Sequence, residues 1–142
     1  MKLRGICIDM KILLGKRIRK LRDPEKLFSE GLDTATEQEL WNILQGKNDA
    51  DKRAVAYSKN VTEEMLEFLM DSNDWQIKSH IAISPYTPEY MLQELSESHS
   101  PGVRKRVAQN LHTPIPVLQE LVTDPINSVN RAARETLELL KY

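Results

Sequence analysis

Apolar positions in this chain recur at helical spacing, and the same arrangement returns every 26 residues. The clearest copy runs Val103-Arg104-Lys105-Arg106-Val107-Ala108-Gln109-Asn110, then His112-Thr113-Pro114, then Val117-Leu118-Gln119-Glu120-Leu121. One step back it reads Ile77 to Ser84, then Tyr86-Thr87-Pro88, then Met91-Leu92-Gln93-Glu94-Leu95. Earlier copies keep Val55-Ala56 with Met65, Leu66 and Leu69, then Leu40 with Ile43. Four columns stay apolar without a gap: Leu40/Leu66/Leu92/Leu118, Ile43/Leu69/Leu95/Leu121, Ala56/Ala82/Ala108 and Val55/Ile81/Val107/Ala133.

Each copy predicts two short helices. The first, around 51–58, 77–84, 103–110 and 129–140, carries apolar residues at i, i+4 and i+5. The second starts at Thr or Thr-Pro. Thr87 and Thr113 read as N-caps, with Pro88 and Pro114 at the first helical position, where a missing N–H costs nothing. Thr36 followed by Glu39 fits a capping box. Thr36 and Thr62 fall in the Pro88 column, so the cap is expected to shift by one residue in the early copies. Asp71-Ser72-Asn73-Asp74 and Asp124-Pro125-Ile126-Asn127 read as turns. One such hairpin cannot bury its apolar face alone, whereas stacked neighbours merge theirs into one core. The expected class is therefore all-α, an α-solenoid of stacked two-helix repeats, with a polar column of Ser58, Ser84, Asn110 and Thr136 bonding to turn backbone.

The pattern Val103-Arg104-x-x-Val107-Ala108-x-Asn110-x-x-Thr113-Pro114-x-x-Val117-Leu118-x-x-Leu121-x-x-Asp124-Pro125 resembles the leucine-rich repeat variant and the wider HEAT and armadillo-like group. The resemblance covers about residues 36–140 and implies a right-handed superhelix of helix pairs. It implies no single activity, since such repeats serve unrelated binding tasks. Relatives of the variant type can carry a Cys-rich cluster domain. Cys7 alone cannot supply one, so no iron–sulfur or other cofactor is expected.

Charge divides the chain. Residues 1–30 hold nine Lys/Arg against four Asp/Glu, a net of +5, and residues 31–142 hold eleven against seventeen, a net of −6. The expected organisation is a basic N-terminal helical cap over 1–35, with Leu14, Ile18 and Leu21 on its apolar stripe, and a solenoid over 36–142. On the first helices Lys52, Lys78 and Arg104 share one column, and Arg53, Lys105 and Arg131 the next. In a stack these form a basic ladder, read either as a phosphate-tracking surface or as solvated helix faces. Trp41 shares a column with Glu67, Gln93 and Gln119, so it is either a binding anchor or a residue packed under the N-terminal segment. Tyr86 and Tyr90 flank the Thr87-Pro88 start and complete the candidate partner-binding set.

The remaining composition excludes more than it selects. An apolar share of 40% and a charged share of 29% describe a globular chain. One cysteine forms no internal disulfide and no multi-cysteine zinc site. The longest apolar run, Ala54-Val55-Ala56-Tyr57, is far short of a membrane span, and Lys11 and Lys16 interrupt any signal-peptide core, so a cytoplasmic protein is expected. Phosphate loops, paired histidines and nucleophile elbows are missing from the sequence, and an enzyme is not expected. Two function classes survive. One is a protein–protein interaction scaffold, whose open ends would also allow homo-oligomers. The other is a nucleic-acid-binding repeat protein using the basic ladder.

Overall fold

The computed structural model describes residues 35–141, and the basic helix expected within 1–35 lies outside them. Every regular element among the described residues is an α-helix: α1 Glu37–Leu44, α2 Asp49–Val55, α3 Glu63–Met70, α4 Trp75–Ile83, α5 Glu89–Ser96, α6 Pro101–Gln109, α7 Ile115–Leu121 and α8 Asn127–Leu140. None is long and apolar enough to cross a membrane. The chain divides into two units, Met1–Leu69 and Met70–Tyr142.

In the first unit, α1 starts as its sequence dictates. The Glu39 N–H donates to Thr36 Oγ1 at 3.3 Å and the Thr36 N–H to Glu39 Oε2 at 2.7 Å, a complete capping box. Asn48 Oδ1 caps α2 by accepting from the Ala50 and Asp51 N–H groups. The Thr62 hydroxyl accepts from the Met65 N–H at the start of α3. Leu40, Val55, Ala56, Met65, Leu66 and Leu69 are buried. Ile43 departs from its column: it is half-buried, and α1 buries Leu44 instead.

In the second unit, α4 packs on α6 and α6 on α8, with α5 and α7 against this row. Ile77, Ile81, Ala82, Val103, Val107, Ala108, Val129 and Ala133 of the row are buried, as are Met91, Leu92, Leu95, Val117, Leu118 and Leu121 opposite them. A leucine such as Leu92, fully buried, contributes about 2 kcal/mol of transfer free energy.

The row helices begin two residues before their first apolar column. Asp74 caps α4, its carboxylate accepting from the Gln76 N–H at 2.8 Å, while Ser100 and Ile126 hold the equivalent place before α6 and α8. Apolar periodicity marks where packing starts, so the residues ahead of the first buried column, Trp75-Gln76, Pro101-Gly102 and Asn127-Ser128, fall outside the repeating pattern.

The expected role of Thr87 and Thr113 needs correction. The N-cap residues of α5 and α7 are Pro88 and Pro114, both non-helical in backbone and without a side-chain cap. The threonine hydroxyls are buried and donate backward, Thr87 to the Ile81 carbonyl at 2.6 Å and Thr113 to the Val107 carbonyl at 2.7 Å. Proline pushes the preceding residue out of the helical region. Each threonine then satisfies a carbonyl in the last turn of the helix before it. The cap position itself does not shift between copies: Thr36, Pro88 and Pro114 are the N-caps, and Thr62 stands at the same place before α3.

Candidate functional site

The polar column closing the first helices is buried throughout. Ser58 and Ser84 hydroxyls accept from the N–H two residues on, at Asn60 and Tyr86, and Asn110 Oδ1 does the same from His112 at 2.9 Å. Asn110 also donates from Nδ2 to the carbonyls of Ala82 at 2.8 Å and Ser84 at 3.0 Å. The Thr136 hydroxyl donates to the Ala108 carbonyl. In the first unit, Asn60 Nδ2 donates to the Ala35 carbonyl at 2.8 Å. Asn110 and Thr136 tie one first helix to the end of the one before it, while Ser58 and Ser84 close local turns, and this chemistry is structural.

Arg104 belongs to the same internal framework. Its Nε donates to Asp124 Oδ2 at 2.8 Å and its guanidinium also donates to the Ser98 carbonyl at 2.8 Å. The side chains are only 16% and 7% exposed. The hydrogen bond from Arg104 pulls the Asp124 carboxyl below its usual value of 3.8, helped by the Ile126 N–H and the Arg104 charge and opposed by burial. Asp124 stands in a column with Ser72 and Ser98, whose hydroxyls accept from Asp74 and Ser100 N–H groups as Asp124 accepts from Ile126. Only the last of these three carries a carboxylate for the arginine. Sequence reading treated Asp124 as a turn residue and Arg104 as an outward cation. The available signal was the single acidic member of an otherwise serine column.

The other candidates fall in both units. Lys52, Arg53 and Trp41 belong to the first unit, and Lys78, Lys105, Arg131, Tyr86 and Tyr90 to the second. Lys52 lies 3.9 Å from the Asp49 carboxylate, and Arg53 is half-buried. Trp41 is half-buried with its ring edge-to-face on Phe68, centroids 5.9 Å apart and planes at 76°. Lys78 lines a groove of about 310 Å³ with Trp75, Glu94, Glu97 and His99, so acidic groups share its surroundings. Lys105 and Arg131 are exposed on α6 and α8. Tyr86 is exposed in the turn between α4 and α5.

Tyr90 is placed differently. It lines a groove of about 520 Å³ between α5 and α7, with Glu89, Gln93, Pro114, Pro116, Val117 and Glu120. The helices α1, α3, α5 and α7 contain Glu37, Glu39, Glu63, Glu64, Glu67, Glu89, Glu94 and Glu120 and not one Lys, Arg or His. Sequence reading singled out Tyr90 without placing it beside Pro114, Pro116 and the glutamates of the second helices. The first helices carry both signs, with Asp49 and Asp51 in α2 and Glu135 and Glu138 in α8 beside basic residues. Groups of three or more metal-binding side chains do not occur among the described residues. In comparisons with known proteins, the chain matches no family model, no curated protein and no solved structure.

Proposed function

We propose that the chain is a non-catalytic helical-repeat scaffold, an α-solenoid of stacked two-helix repeats that binds another protein through its second helices. The repeat reading draws support from the caps. Asn48, Asp74, Ser100 and Ile126 precede the first helices, and Thr36, Thr62, Pro88 and Pro114 the second, each series advancing by 26 residues. The observation that carries the functional reading is the division of polar work. First-helix polar groups such as Arg104 and Asn110 are bonded inside the molecule, whereas the α5/α7 groove presents Tyr90, proline and carboxylate outward. A surface without a basic residue does not attract phosphate, and Arg104 is withdrawn from the ladder. The nucleic-acid alternative then rests on Lys52, Arg53, Lys78, Lys105 and Arg131.

An anisotropy titration of the full chain against single- and double-stranded nucleic acid, at low and physiological salt, separates the two. The scaffold reading expects weak binding at most. Tight binding with a steep salt slope, lost in the Lys78→Glu/Lys105→Glu/Arg131→Glu variant, would replace it with the nucleic-acid reading.

A further inference from the structure

We infer that the groove between α4 and the end of α5 takes a partner-protein segment in which an arginine adjoins an acidic residue, the guanidinium over Trp75 against Glu94 and Glu97 and the carboxylate on Lys78. This rests on the scaffold reading and adds the chemistry of the partner. Trp75 and Lys78 stand three residues apart on α4 and share one wall of the groove. Glu94 of α5 and Glu97, its C-cap, line the same groove. Trp75 is 54% exposed, and one edge of its six-membered ring is fixed against Gly102, where an added Cβ would stand 3.6 Å from Cζ3. Among the described residues Trp75, Lys78, Glu94 and Glu97 take no ion pair and no aromatic contact.

The next copy shows what Lys78 lacks. There the cation of the same column, Arg104, holds the Asp124 carboxylate at 2.8 Å. Twenty-six residues back the two positions are Lys78 and Ser98, and both line the groove. The Ser98 hydroxyl accepts from the Ser100 N–H and carries no charge. The carboxylate that the chain supplies to Arg104 is thus left, at Lys78, for an occupant to bring. The α5 side selects the other half of that occupant. A purely acidic segment would meet Glu94 and Glu97, a purely basic one would meet Lys78, and an aliphatic one would answer neither. A segment of both signs answers both. Arginine suits the Trp75 side better than lysine, because its plane stacks on the indole while its fork bonds to carboxylate.

The test is a titration of the full chain with four labelled twelve-residue peptides that repeat Arg-Asp, Arg-Asn, Gln-Asp or Gln-Asn. The Arg-Asp peptide should bind best and weaken with salt. Trp75→Ala should lower its affinity by roughly tenfold, as for an aromatic anchor. Lys78→Glu should turn the preference to Arg-Asn, and Glu94→Lys/Glu97→Lys should turn it to Gln-Asp. Lys105→Glu on α6 should move neither. Thermal melts check that each variant folds, and the charge reversals, all outside the core, decide the matter if Trp75→Ala does not fold. Equal affinity for the four peptides, no binding of any, or a preference unmoved by both charge reversals overturns the inference. Best binding of the Arg-Asn or Gln-Asp peptide by the native chain overturns it too but keeps the scaffold reading. No peptide binding together with tight, salt-sensitive nucleic-acid binding overturns both.

Discussion

Within the second unit, the row α4, α6 and α8 and the pair α5 and α7 use polar atoms in opposite ways. The row sends several of them inward, while Lys105 and Arg131 stay exposed. Asn110 reaches two carbonyls of the preceding copy, Thr136 reaches Ala108, and Arg104 spans to Asp124. The pair α5 and α7 buries only its apolar stripe and leaves Glu89, Tyr90 and Glu120 at the surface. A helix held by apolar burial alone keeps its polar face for binding.

That contrast predicts where substitutions hurt. The largest effect belongs to Asn110→Ala, which removes the partners of the Ala82 and Ser84 carbonyls and of the His112 N–H. Leaving buried groups unsatisfied should cost about 3 kcal/mol in a urea melt, against less than about 0.5 kcal/mol for the exposed Gln119→Ala on α7. Equal losses would erase the distinction between the two sets of helices.

Ala108→Leu comes next. Ala108 is fully buried in α6 beside the carbonyl that Thr136 contacts, so added methylenes overpack the row. A loss of about 1–3 kcal/mol is expected, with Ile81→Leu, which conserves volume, losing less. Thermal melts of the two variants make the comparison, and equal shifts would deny the close approach at the alanine column.

Arg104→Ala should cost about 2 kcal/mol, because it strands the Asp124 carboxylate and the Ser98 carbonyl. Lys78→Ala, one copy earlier and facing a serine column, should stay within about 0.5 kcal/mol. The pair also sets a pH dependence. The folded carboxyl of Asp124 titrates below its unfolded value of 3.8. Its contribution is therefore complete above that value and fades as pH falls through the lower, folded one. The stability gap between the native chain and Asp124→Asn should shrink between neutral pH and pH about 3 in urea melts. A gap that widened in acid would mean that the arginine does not hold the ionised form.

Much of this architecture was legible in residue order. The apolar columns at Leu66/Leu92/Leu118 and Ala56/Ala82/Ala108 are buried, because which face of a short helix is apolar follows from spacing alone. The Thr36–Glu39 capping box was legible for the same reason, since both partners lie within one turn. Thr87 was misread as a cap because its acceptor lies six residues back, at Ile81, across a turn whose path a local motif does not define. Arg104 was misread as a surface cation because its partner lies twenty residues on. The sequence by itself thus determined helix content, most core columns and the lack of basic residues in the second helices, all properties of local spacing and composition. Only the tertiary structure decided which polar side chains are spent on carbonyls and carboxylates of neighbouring turns and which, like Glu89 and Glu120, line the groove between α5 and α7. That choice depends on distances between segments far apart in the chain, which no local pattern encodes.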